Sequence, residues 1–117
     1  IPKLATFGPE RGELLVLGWG STYGSIRSAV ERLQADGKSV AHAHLRYLNP
    51  FPRNLGEVLG RYERLLVPEI NLGQLSMLVR ARYLVDAIGY DRVRGKPFRI
   101  AEIVDAAEAA LRGETIQ

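Results

Sequence analysis

The stretch Glu13-Leu14-Leu15-Val16-Leu17-Gly18-Trp19-Gly20-Ser21-Thr22-Tyr23-Gly24 decides the fold. Its apolar run, Leu14 to Leu17, is too short for a helix and suits a strand buried on both faces. Glycines follow at 18, 20 and 24, and then an amphipathic segment begins. Strand, glycine turn, helix is how an open α/β sheet begins a crossover. In such sheets the ligand crevice lies beyond the carboxyl ends of the strands. A central position for this strand puts Gly18 to Gly24 on that crevice.

The remaining segments arrange themselves around it. Leu4 to Phe7 reads as a short edge strand, and Pro9 to Gly12 as a turn. Ser21 or Thr22 is placed to cap the next helix. There Ile26, Ala29, Val30 and Leu33 form one face, with Arg27, Glu31, Arg32 and Gln34 outside it. Asp36-Gly37 stops it. Ser39 to Leu45 is a second strand with His42 and His44 on one face. Asn49-Pro50-Phe51-Pro52 breaks the chain. Asn54 and Glu57 have capping-box spacing for a short helix whose inner face is Leu55, Val58, Leu59 and Tyr62. Leu65 to Val67 is a third strand, ending at Pro68-Glu69. Asn71 and Gln74 have cap spacing for a helix through Leu75, Leu78, Val79 and Arg82, expected to be well buried. Leu84 to Tyr90 is a fourth parallel strand. A loop follows from Arg92 to Phe98. Ile100, Ile103, Val104, Ala107 and Leu111 mark a last helix closed by Gly113. One edge strand followed by four βα units predicts a mostly parallel sheet with helices on both faces.

A chain of 117 residues, 46% of them hydrophobic, holds one domain and one core. It has no cysteine, so it offers no disulfide, thiolate nucleophile or cysteine metal cage. That composition fits a cytoplasmic setting. No apolar run reaches membrane-span length, and no signal-peptide pattern is visible. The start at Ile1, without methionine, is what a processed or excised chain would show. A net charge of +3 is too mild to imply nucleic acid. Its distribution is uneven: Arg80, Arg82, Arg92, Arg94, Lys96 and Arg99 face only Asp86 and Asp91 in that stretch. It reads as a solvated basic face; the sharper reading makes Arg80, Arg92, Arg94 and Lys96 a surface for an acidic partner.

Several constellations invite chemistry. The glycine turn lacks the dinucleotide spacing and offers no Gly-Lys-Ser/Thr, so it is no P-loop. Gly18, Gly20, Ser21, Thr22 and Gly24 remain a turn, or a generic anion site at a helix N-terminus. His42 and His44 could bind zinc with Glu69 as a third ligand; packing under a helix or at an interface is the preferred reading. Ser21, His44 and Glu69 could be drawn as a triad, but no G-x-S-x-G elbow supports it. No metal site is therefore assigned.

Three stretches carry a resemblance. They are Leu17-Gly18-Trp19-Gly20-Ser21-Thr22-Tyr23-Gly24, His44-Leu45-Arg46-Tyr47-Leu48-Asn49-Pro50-Phe51-Pro52 and Val67-Pro68-Glu69-Ile70-Asn71-Leu72-Gly73-Gln74-Leu75. In that order the chain resembles the C-terminal domain of the alpha subunit of 2-oxoacid:ferredoxin oxidoreductases, with the 2-oxoglutarate type the nearest fit. The third stretch is the most specific. The resemblance implies a transketolase C-terminal-like fold: a three-layer α/β/α sandwich on a five-stranded mixed sheet. The implied strand order is 1-3-2-4-5 with the first strand antiparallel. It also implies a single domain cut from a longer alpha subunit. The implied parent converts a 2-oxoacid, coenzyme A and oxidised ferredoxin to acyl-CoA, carbon dioxide and reduced ferredoxin. The implied cofactors are thiamine diphosphate, Mg2+ and iron–sulfur clusters. This chain offers no cysteine for a cluster and no Gly-Asp-Gly for the diphosphate's metal. Those parts are expected in other domains or in the beta subunit, and no catalytic residue of the family maps here. The expected role is packing against the rest of the alpha subunit and the beta subunit. Contacts are expected from Trp19, Tyr23, Arg46, Asn49, Pro50, Pro52, Glu69, Asn71 and Gln74. The alternative is a phosphate, nucleotide or coenzyme A held at the Gly18–Gly24 turn.

Overall fold

The computed structural model describes residues 2–70, 74–91 and 96–114. Five strands and four helices alternate after the first strand. They are β1 (Thr6–Phe7), β2 (Gly12–Trp19), α1 (Tyr23–Ala35), β3 (Val40–Leu45), α2 (Leu55–Leu59), β4 (Tyr62–Glu69), α3 (Gln74–Tyr83), β5 (Ala87–Asp91) and α4 (Ile100–Leu111). One 3-10 turn, Gly20–Thr22, joins β2 to α1. The sheet order is β1-β3-β2-β4-β5, with β1 antiparallel to β3 and the other pairs parallel. This is the expected five-stranded mixed sheet.

β2 is central, and its Val16 lies between His42 and Leu66. That position explains the unbroken apolar run. Leu14 and Val16 pack with Ile26, Val30 and Leu33 of α1 and Ile103 and Ala107 of α4. Leu15 and Leu17 point to the other face, against Leu55 and Val58 of α2 and Leu75 and Val79 of α3. A strand covered on both sides has no face left for polar residues. The three layers follow.

The helix stops are chemically explicit. At the end of α1, Gly37 has φ +81°, its N–H reaches Gln34 O at 2.9 Å, and Lys38 N reaches Leu33 O at 3.0 Å. α4 ends the same way through Gly113 at φ +72°. Both are Schellman stops, in which glycine takes the left-handed position without a Cβ clash.

The expected starts are corrected. Thr22 Oγ1 donates to Trp19 O at 3.0 Å and makes no cap bond to α1. Asn54 sits at the start of α2 but does not cap it with its side chain. Its amide clamps Leu4 instead, accepting from Leu4 N at 2.8 Å and donating to Leu4 O at 2.9 Å. Glu57 pairs with Arg61 across one helical turn. β4 starts at Tyr62, not Leu65, because Gly12 of the longer β2 pairs with Tyr62. The Tyr62 hydroxyl then donates to Pro9 O at 2.6 Å. β5 starts at Ala87 because Leu84, at φ +54°, ends α3. α3 itself is less buried than its apolar stripe suggested. Leu75, Ser76 and Val79 face the core, while Leu78 and Arg82 are exposed.

Candidate functional site

Three strand ends and the first turn of α1 meet above the sheet. Glu69, the last residue of β4, is 1% exposed. Its Oε1 accepts from Leu75 N at 2.7 Å and from Trp19 Nε1 at 3.4 Å, and its Oε2 accepts from Ser76 N at 3.1 Å. A carboxylate at a helix N-terminus satisfies donors that have no intrahelical partner and complements the helix dipole. Glu69 is thus a cap delivered from the preceding strand. It is turned inward, away from the rim where a neighbour was expected to meet it. Asp91 lies beside it in register. Burial, and after it the Glu69 carboxylate, pushes the Asp91 carboxyl up, while Arg80 pulls it down.

On the other side of β2, the two histidines form a relay. His44 Nε2 lies 3.0 Å from Gly20 O, and His42 Nε2 lies 3.4 Å from His44 Nδ1. A carbonyl only accepts, so His44 carries its proton on Nε2; its Nδ1 then accepts from His42 Nε2–H. Burial lowers the His42 pKa to about 3, helped by His44 and Arg27. Burial lowers His44 as well, against the bond to Gly20. Both rings are neutral at pH 7 and tie β3 to the turn after β2.

Gly18 makes this possible. A Cβ there would lie 2.4 Å from Ile26 Cδ1, 2.9 Å from His44 Nδ1 and 3.1 Å from Thr22 Oγ1. Gly18→Ala should therefore destabilise the fold by about 1–3 kcal/mol. Urea unfolding of the variant measures this, and a loss under about 0.5 kcal/mol would contradict it.

The chemical constellations drawn from sequence are not assembled. His44 Nε2 is engaged by Gly20, and Glu69 is engaged by α3 and Trp19, so Ser21, His44 and Glu69 form no triad. Among the described residues, no three His, Cys, Asp or Glu side chains gather as a metal would require. With no cysteine in the chain, these residues do not fit an iron–sulfur cluster either. The Gly18 to Gly24 turn faces a hollow of about 60 Å³ lined by Trp19, Gly20, Ser21, Thr22, Glu69 and Ile70. The Glu69 carboxylate on that hollow disfavours an anion at the turn.

A second concavity was not anticipated. A groove of about 590 Å³ runs along the β1–β3 edge, between Lys3 to Phe7 and the residues Tyr23, Arg27, His42, His44, Arg46, Tyr47 and Pro52. The Arg27 guanidinium lies 3.7 Å from the centroid of Phe7 and 5.4 Å from that of Tyr23. Its position off the apolar face of α1 gave no hint of this contact. Only the fold brings Phe7, 20 residues earlier, under it.

The expected contact residues separate accordingly. Tyr23, Arg46 and Pro52 line this groove; Trp19 and Glu69 line the small hollow. Asn49, Pro50 and Gln74 are exposed, and Pro52 is buried. Arg80 is exposed, and it also ties α3 to β5: Nε donates to Ala87 O at 2.9 Å, with Nη2 on the same oxygen. Lys96 is exposed. Asn71, Arg92 and Arg94 lie outside the described residues.

Residues 12–103, from the start of β2 into α4, match the family model described as pyruvate:ferredoxin oxidoreductase core domain II. The chain belongs to that family. It is 54% identical over 114 residues to the 2-oxoglutarate oxidoreductase subunit KorA of Mycobacterium tuberculosis, covering 97% of this chain and 18% of that protein. The 2-oxoglutarate:ferredoxin oxidoreductase from Magnetococcus marinus was solved with 2-oxoglutarate, coenzyme A and succinyl-CoA bound. It superposes with a TM-score of 0.89 at 30% identity, over 95% of this chain and 20% of that one. The alpha chain of a probable 2-oxoacid ferredoxin oxidoreductase from Thermoplasma acidophilum shares the fold, with a TM-score of 0.64 at 23% identity. There the match covers 94% of this chain and 97% of the other. This core domain II chain thus spans less than a fifth of its KorA relative.

Proposed function

We propose that this chain is a structural, non-catalytic domain of a 2-oxoglutarate:ferredoxin oxidoreductase alpha subunit. The parent reaction would take 2-oxoglutarate, coenzyme A and oxidised ferredoxin to succinyl-CoA, carbon dioxide and reduced ferredoxin. Thiamine diphosphate, Mg2+ and an iron–sulfur cluster would be held elsewhere in that enzyme, in the cytoplasm. Its partners are then the rest of the alpha subunit, the beta subunit and, for the whole enzyme, ferredoxin.

The observation that carries the packing role is the outer face of α3. Met77 is 64% exposed, Leu78 46% and Leu84 89%. With the exposed Ala81 they fall at i, i+1, i+4 and i+7, one stripe along the helix and just past its end. Leu84 holds the left-handed position that glycine usually takes, at a cost of about 1 kcal/mol. A large apolar side chain strained and turned to water is explained by a surface that covers it. Gln74 is exposed at the start of the same helix and belongs to this contact. Asn49 and Pro50, exposed at the corner after β3, are further contact points of the same reading.

The test is reconstitution. The remaining alpha and beta polypeptides are purified with and without this chain and assayed for ferredoxin-linked oxidation of 2-oxoglutarate. Activity that requires the chain, with none from the chain alone, is expected. Full activity without it would overturn the reading.

A further inference from the structure

We propose that the groove along the β1–β3 edge binds a small anion of the nucleoside-phosphate class, a planar ring joined to phosphate carrying at least two negative charges. Three permanent cations, Lys3, Arg27 and Arg46, line it, and among the described residues none of its lining is acidic. Uncompensated cations around one concavity repel each other and concentrate anions there. Arg27 is the sharpest sign. Its Nε is buried and has no hydrogen-bond partner among the described residues. A buried donor without an acceptor is costly, and the same guanidinium lines the groove wall. The planar guanidinium fork suits phosphate in two-point contact.

The walls fit the rest of such a ligand. The Arg27 guanidinium lies 3.7 Å from the Phe7 centroid and 5.4 Å from that of Tyr23, and the His42 and His44 ring centroids lie 5.3 Å and 5.1 Å from that of Tyr23. Aromatic rings and cations thus line the same concavity, where a flat ring and its phosphate could both be met. The volume of about 590 Å³ is that of a small-molecule site. The wall that carries Lys3 is fixed: Asn54 clamps Leu4 at both backbone atoms, and Thr6 and Phe7 pair with Ala43 and His42. The groove lies at the opposite sheet edge from β5, against which α3 packs. The binding test is read on the chain alone, so it is distinguishable from a test of the α3 packing stripe.

The chain has only two histidines, and both line the groove. Their imidazole C–H NMR signals report its occupancy directly. ADP titrated into the 117-residue chain should shift both signals saturably, with a Kd below about 1 mM. Inorganic pyrophosphate, which has the charge without the ring, should bind about tenfold more weakly. Arg27→Gln should weaken ADP about tenfold or more. Because Arg27 is partly packed, Lys3→Gln, at an exposed position, provides a second variant and should weaken ADP severalfold. Lys96→Gln, away from the groove, should leave binding unchanged. No saturable shift with ADP at 10 mM (roughly ten times that Kd) would overturn the proposal, and so would ADP binding indifferent to both Arg27→Gln and Lys3→Gln. Pyrophosphate binding as tightly as ADP would overturn the assignment of a ring.

Discussion

Replacing Glu69 by alanine is expected to destabilise the fold by about 3 kcal/mol. The Leu75 and Ser76 N–H groups would lose their acceptor in a buried place, and Trp19 Nε1 would lose its partner. The removed side chain would also leave a void beneath α3. Glu69→Gln keeps one acceptor oxygen and the volume, and should cost about half as much. Urea unfolding of both variants measures the difference. A loss below about 1 kcal/mol for Glu69→Ala would mean that α3 does not depend on this cap.

The second large effect is on acid stability. Folded His42 resists protonation down to about pH 3, because burial penalises its charged form. In the unfolded chain it takes up a proton near pH 6.5. Between those values the unfolded state binds more protons, so stability is lost as pH falls from about 6.5 toward 3. His42 alone should remove about 2 kcal/mol between pH 7 and pH 5. His44, also lowered, adds to the same slope. His42→Gln should cut the pH 7 to pH 5 difference by more than half. An unchanged difference in that variant would place the acid sensitivity elsewhere.

What was legible in the sequence had local causes. The buried run from Leu14 to Gly18, the α1 face of Ile26, Ala29, Val30 and Leu33, and the Gly37 and Gly113 stops are written in periods of one element. The strand order came from the family resemblance, and the alternation of elements agreed with it. The errors share a different cause. Asn54 has the spacing of a cap, but the Leu4 backbone, 50 residues earlier, takes its amide. Glu69 ends a strand and read as a rim residue; its task is set by α3, which begins five residues later. Arg27 falls outside the apolar face of α1, and its contact with Phe7 is invisible in sequence because Phe7 sits on an edge strand that only the closed sheet brings near. Polar side chains choose among partners that sequence spacing does not reveal.

The exposed stripe of α3 gives the most direct measurement. Met77 and Leu78 are changed together to glutamate in the proposed parent oxidoreductase, and its subunit assembly is followed by size-exclusion chromatography. Both side chains already face water in this domain, so the chain itself should fold unchanged, within about 0.5 kcal/mol. A packing role predicts that the assembled enzyme falls apart or fails to form while the variant domain stays folded. An enzyme that assembles and turns over as the wild type does would contradict it.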